Sequence, residues 1–231
     1  MTDFTHYLPI TSLIVSLTFF GIIFRKWTKN RSSLHLLWWA IGALMYAAGT
    51  FTEAFTTLAG WNLIIFKMWY ITGALLGGAP LAQGTVYLLL PRKTAHILSV
   101  VLVAFVAIAS VFVILSPVNM EQVDPAHLSG SVLTWGWVRA FSPFANTYAL
   151  IFLVGGAIWS AWKYRKTNQT GRILGNILIA LGGLLPGIGG SFTRFGHVEV
   201  LFVTELIGII LIWIGYETIE HSPSLEKKSA D

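Results

Sequence analysis

A chain of 231 residues that is 55% hydrophobic and 11% charged, with a mean hydropathy of +0.70, lies far from a soluble domain, in which about a quarter of residues are charged. The length accommodates about seven apolar spans of roughly 20 residues with short loops, so one all-α bundle in lipid is expected and no further domain fits between the spans. The net charge of +5 sits mostly in loops, which speaks for membrane orientation and against nucleic acid, and the absence of Cys excludes disulfides, thiolate metal sites and thiol redox chemistry.

The N-terminal MTDFTHY has no basic region, and Arg25-Lys26, not a small-residue cleavage motif, follows the first apolar run; this reads as a retained span and not a signal peptide. Span 1 is expected from about Leu8 to Phe24 and span 2 from about Leu36 to Leu58. Span 3 covers about Asn62 to Leu90, long enough to tilt or bend at Pro80, and span 4 about Ile97 to Leu115. One long loop, Ser116 to Ser142, comes next. Spans 5, 6 and 7 follow from about Phe144 to Trp162, Ile173 to Phe192 and Val198 to Ile219. Residues 1–219 thus make one seven-helix transmembrane domain, and 220–231 a short polar tail expected to be disordered.

All Lys and Arg except Lys67, Arg139 and Arg194 fall in loops 1–2, 3–4 and 5–6 or in the tail. That bias places the N-terminus outside and the C-terminus in the cytoplasm. It also requires an odd number of spans.

The hairpin of spans 2 and 3 puts two charges into an otherwise apolar stretch, Glu53 before the Ala59-Gly60-Trp61 turn and Lys67 after it. Each lies seven residues from Gly60, roughly 10 Å below the tip at about 1.5 Å per helical residue. Glu53 belongs to a small and polar stripe with Gly42, Tyr46, Gly49, Thr50 and Thr57, opposite a bulky stripe of Leu44, Phe51, Phe55 and Leu58, so it points into the bundle. Lys67 shares a face with Tyr70, Ala74, Gly77 and Gly84. Glu205 in span 7 lies at a similar depth. Two carboxylates then face one ammonium, so either one acid is protonated or another cation visits; Arg139, Arg194 and His197 at the rim are the local candidates. Asn146 and Tyr148, and Thr11 in span 1, are placed to line the same vestibule. The alternative is an ion pair that locks the bundle, with Lys67 snorkelling outward.

Span 6 is the richest in glycine and contains Pro186. Close helix packing, including a G-x-x-x-G from Gly183 to Gly187, is the favoured reading; a broken helix lining a cavity is the other. Most Trp residues lie at expected interfaces, and Trp135-Gly136-Trp137 serves either as an anchor there or as a lid. The histidines sit near span ends, which disfavours bis-His haem, and no metal-ligand spacing, phosphate loop or dinucleotide motif occurs. Span 7 has no Lys, so a retinal Schiff base is excluded. Gly190-Ser191 with His197 has no supporting oxyanion motif. No cofactor, metal or catalytic residue is expected, and nothing demands an enzyme.

Gly49 with Glu53 four residues on, Trp69-Tyr70 leading to Gly73, Pro80 in the same span, and Leu185-Pro186 in span 6 resemble the seven-helix N-terminal membrane region of many bacterial sensor histidine kinases and diguanylate cyclases. The resemblance covers nearly all of the chain in span order and loop length. Lys67 does not map onto the pattern, and only the short tail follows span 7. The resemblance implies a sensory membrane module that signals through a separate membrane or cytoplasmic partner, or acts without one. Taken with the charged level, the first expectation is a module that binds a small polar or charged ligand from outside through Glu53, Lys67 and Glu205. A small-solute or proton-coupled transporter and a structural subunit of a larger complex remain the alternative expectations.

Overall fold

A bilayer offers no partner for open backbone N–H and C=O groups, so an apolar chain of this length must satisfy them within each span. The computed structural model, which describes residues 4–124 and 127–223, follows that rule: it is 85% helical, with no strand among the described residues. Seven of its helices are long and apolar enough to cross a membrane, which makes the chain a multi-pass membrane protein. A single 3-10 turn, Phe4–Tyr7, leads into α1 (Leu8–Lys29), and α2 (Leu34–Ala59) forms the second span. The third consists of α3 (Leu63–Trp69), a π-helical stretch Tyr70–Leu76 and α4 (Ala79–Leu89). After α5 (Arg92–Leu115), the fifth span joins α6 (Phe141–Ala149), a second π-helical stretch Leu150–Gly155 and α7 (Gly156–Arg165). The last two are α8 (Thr170–Phe192) and α9 (Val198–Glu220). Of the expected tail, residues 224–231 lie outside the described residues.

The bend in the third span lies ahead of Pro80. Gly77 adopts φ 35° and ψ −114°, a conformation open in practice to glycine alone, while Pro80 occupies the first turn of α4, where its missing N–H leaves no helical bond unmade. The long loop folds onto the end of the bundle. Asn119 N–H donates to Val132 O at 2.8 Å and Thr134 N–H to Pro117 O at 2.9 Å, closing it on itself. Its Val132, Leu133 and Val138 are buried against Phe66, Tyr70 and Val113 of the spans beneath.

The closest seam joins α8 to α9. Gly175, Gly182 and Gly189 recur every seven residues on α8 and meet Gly215, Gly208 and Leu201, spaced alike on α9. A methyl on Gly182 would lie 2.5 Å from Gly208 O, and one on Gly215 would lie 2.6 Å from Gly175 O. The helix runs unbroken through Pro186, so close packing and not a broken helix describes this span. The G-x-x-x-G reading is only half met: Gly183 faces Leu153 and Val154 of the fifth span, but Gly187 has no neighbour within 4 Å. α1 and α9 run parallel. His6 stands 6.4 Å from Phe202 at one end, and Lys26 Nζ reaches Glu217 at 4.0 Å and Glu220 at 3.8 Å at the other. Gly49 and Gly73 let α2 and the third span touch backbone to backbone, so that the Glu53 level of α2 lies against Trp69.

Candidate functional site

Glu53 projects from the small-residue stripe of α2 and is only 5% exposed. A buried carboxyl is costly unless it is paired or protonated. Trp69 Nε1–H donates to Glu53 Oε1 at 3.0 Å, and the carboxyl of Glu205 comes within hydrogen-bonding reach of the carboxyl of Glu53. Tyr46 O–H donates to the Glu205 carbonyl at 2.7 Å, tying α2 to α9 within two turns of the pair. Glu53 Oε2 and Glu205 Oε2 are both buried, and no N–H or O–H among the described residues is donated to either. Like charges in contact, away from water, repel strongly, so the pair is costly unless a proton or a cation lies between the two carboxyls.

Above the pair lies a narrow pocket lined by Glu53, Thr56, Trp69, His127, Leu128, Val198, Leu201 and Phe202, with about 250 Å³ of empty space counting its open mouth. It is tight enough to admit on the order of one water as it stands. Its floor is acidic and its walls are apolar. The long loop supplies the roof: His127 Nδ1 lies 2.8 Å from Asp124 Oδ2, and its ring is 5.9 Å from the ring of His6. Among the described residues no three His, Asp or Glu side chains are grouped to hold a metal ion.

Of the candidates read from the sequence, the structure joins Glu53 and Glu205, while Thr11 is exposed on α1. Lys67 turns away from them, and its ammonium donates to the carbonyls of Val113 at 3.2 Å, Ile114 at 2.5 Å and Ser116 at 2.8 Å, capping the C-terminus of α5. No ion pair among the described residues involves Glu53 or Glu205. Tyr70 is buried beneath the loop, accepting from Ser142 Oγ at 3.4 Å with Gly130 against its ring. Arg139 is exposed in the 3-10 turn Gly136–Ala140. Asn146 is exposed on α6 beside Gly77. Arg194 lies in the turn Thr193–Phe195, its side chain outside the described residues, and His197 is an exposed rim residue 2.9 Å from Glu199.

Tyr148 belongs to a different polar group. Its hydroxyl donates to Gln83 Oε1, and Gln83, fully buried in α4, donates through Nε2 to Ala95 O at 3.0 Å and Ser99 Oγ at 2.9 Å. Ser99 Oγ is 3.0 Å from the Tyr87 hydroxyl, which is 2.9 Å from His96 Nδ1. This hydrogen-bonded chain crosses the half of the bundle nearer the start of α5.

Trp69, Tyr46, Thr56, His127 and Gln83 were not among the site candidates read from the sequence, although Tyr46 was placed on the Glu53 stripe. The Trp69 signal was present: residues 67 and 69 point about 200° apart on a helix, so only one of Lys67 and Trp69 can face Glu53. No protein-family model, curated protein or solved structure matches the chain.

Proposed function

We propose that the chain is a sensor-like, small-ligand-binding module of a bacterial inner membrane, with its loop-covered end outside. The observation that carries this reading is Glu53 of α2, a buried carboxyl with an oxygen that receives no donor among the described residues, in the lining of a pocket that the long loop also lines, with the buried Glu205 of α9 behind it. Burying such groups is worthwhile when an occupant completes them. The pocket is too narrow for an organic molecule until the roof shifts, which links occupancy to movement of the loop and of α9. At the other end, α9 meets α1 through Lys26, Glu217 and Glu220, beside the basic loops that a cytoplasmic partner would read. The acids, Trp69 and the pocket walls make the site; Lys67 supports it only by holding α5.

The transporter reading draws on the Tyr148–Gln83–Ser99–Tyr87–His96 chain, which supplies polar groups in the opposite half of the bundle. Native mass spectrometry of protein extracted gently from its own membranes tests the sensor reading, with Glu53→Gln in parallel. A bound small molecule present in the wild type and absent in the variant is the expected result. A bare chain in both removes the ligand site, and a stoichiometric protein partner in both favours the complex subunit.

A further inference from the structure

We propose that the groove between α5 and the start of α6 holds one acyl chain of an anionic phospholipid from the leaflet on the loop-bearing side, with the lipid phosphate on Arg139. The groove shares no lining residue with the Glu53 pocket.

The shape comes first. Phe105, Trp137, Ala140, Phe141 and Phe144 line a groove with about 620 Å³ of empty space counting its open side. Small-ligand sites run from about 300 to 1,000 Å³. Four of the five lining residues are aromatic, and the Trp137 indole is the one polar side chain among them, so the groove suits a hydrocarbon and not a polar solute. Its back is closed: Phe105 and Phe141, with ring centroids 5.6 Å apart, pack against Leu75, Ala109 and Ala145. Phe144 and Trp137, 69% and 53% exposed, form the open edge. Phe105 lies ten residues before Leu115, the end of α5, and so about 15 Å below it at about 1.5 Å per residue. That is half of the roughly 30 Å hydrocarbon core, the reach of an acyl chain from one leaflet. A dry apolar recess of this depth is filled by a lipid tail, because water gains no partner there.

The charge at the mouth comes second. Trp137 and Ala140 stand three residues apart in the 3-10 turn Gly136–Ala140, which puts both on the groove side. Arg139 belongs to the same turn, is exposed, and enters no hydrogen bond or ion pair among the described residues. No Asp or Glu occurs between Asp124 and Glu199, so neither the turn nor the span after it supplies a counter-ion. The Trp137 Nε1–H is likewise given to no acceptor among the described residues. A phosphate at the mouth accepts from both, and a guanidinium can meet it with two parallel N–H donors. The donors stand on a rigid base, because the Trp137 ring stacks on Trp135 at 6.1 Å and meets Phe112 edge-on at 4.9 Å. A zwitterionic lipid brings its own cation to the same place, whereas an anionic lipid leaves its charge to Arg139.

The test is native mass spectrometry of the purified full chain, stripped of lipid in detergent and titrated with palmitoyl-oleoyl-phosphatidylglycerol. Phosphatidylcholine with the same chains, and glycerol phosphate, which has the anion but no acyl chain, are the controls. The expected result is a single phosphatidylglycerol retained per chain in preference to phosphatidylcholine and not displaced by glycerol phosphate. Arg139→Gln lowers its retention about tenfold, as loss of a charge-assisted pair requires. Ala140→Trp fills the groove and abolishes retention. Both positions are exposed, so the variants should unfold at the temperature of the wild type in the same detergent. Phe144→Ala, which removes a wall and weakens retention, serves if Ala140→Trp does not fold. Retention that Ala140→Trp leaves unchanged would be that of surrounding bulk lipid and overturns the proposal. So does equal retention of phosphatidylcholine, an Arg139→Gln variant that holds phosphatidylglycerol as the wild type does, or displacement by glycerol phosphate. A lipid-free dimer that Ala140→Trp dissociates overturns it too, and makes the groove an interface between copies of the chain.

Discussion

Two glycines of one helix, five residues apart, should respond in opposite directions to the same added methyl. At Gly182 the new Cβ would stand 2.5 Å from Gly208 O and 2.9 Å from both Ile212 Cγ1 and Ile212 N. Two of those atoms are backbone of α9 and cannot rotate aside. A carbon normally sits about 3.3–3.6 Å from a carbonyl oxygen, so Gly182→Ala must part α8 from α9 by up to about 1 Å. Overpacking of this kind costs about 1–3 kcal/mol, and the better helix propensity of Ala returns up to about 1 kcal/mol. At Gly187 nothing lies within 4 Å, so Gly187→Ala collects only the propensity gain. The two variants should therefore differ by about 1–3 kcal/mol, Gly182→Ala below Gly187→Ala. Thermal unfolding of the purified protein in one detergent reads the order directly. Glu205 lies on α9 between Leu201 and Gly208, so the Gly182 variant should also bind ligand more weakly. Equal midpoints for the two variants, or a more stable Gly182→Ala, would refute the seven-residue seam and restore the G-x-x-x-G reading.

Lys67→Met removes the donor from three carbonyls at the end of α5 and should cost about 1 kcal/mol, with faster hydrogen exchange in the Ser116 to Val123 stretch and Glu53-dependent ligand binding retained. Loss of that binding with α5 intact would mean that Lys67 pairs with the acids after all. Trp69→Phe keeps the ring but deletes the 3.0 Å donor to Glu53; ligand affinity should change while the fold survives, and an unchanged affinity would remove Trp69 from the site. Gln83→Leu strands the Tyr148 hydroxyl and removes a donor from Ser99 within the bundle, for a loss of about 1–2 kcal/mol in thermal unfolding. A neutral result there would show that water replaces the amide. Gly77→Ala forces a side chain onto φ 35° and should destabilise by about 1–3 kcal/mol; a stable variant would place the hinge elsewhere.

The spans were legible because composition and basic loops report solvent and interface directly. The inward direction of Glu53 was legible for a similar reason, since small and bulky residues separate cleanly on α2. The third span was harder. Lys67 is the conspicuous charge, and electrostatics alone pairs it with Glu53, but the π-helical stretch and the 200° between residues 67 and 69 give that face to Trp69. A lysine also finds good partners in the open carbonyls of a helix terminus, which no residue pattern marks in advance. Gln83 escaped notice because a single amide in an apolar run carries no periodicity; its role depends on Tyr148 and Ser99 arriving from two other spans. The glycine seam was visible as composition, but whether a four- or seven-residue spacing governs it depends on how α9 crosses α8. The roof over the pocket is built by loop residues such as His127, whose placement follows from folding of the loop on Tyr70 and Val113.

The chain has no cysteine, so a single Glu53→Cys gives an unambiguous reporter of access to the pocket floor. Labelling with a small membrane-impermeant thiol reagent, in sealed vesicles of either orientation and in denatured protein as a control, asks whether the acid level opens beneath the loop. The expected result is slow labelling from the loop-bearing face only, made faster by a loop variant such as Val138→Ala that loosens the roof, and full labelling after denaturation. Labelling from the basic-loop face, or none from either face while the denatured protein reacts fully, would contradict a ligand site on the Glu53–Glu205 pair that is open to the outside.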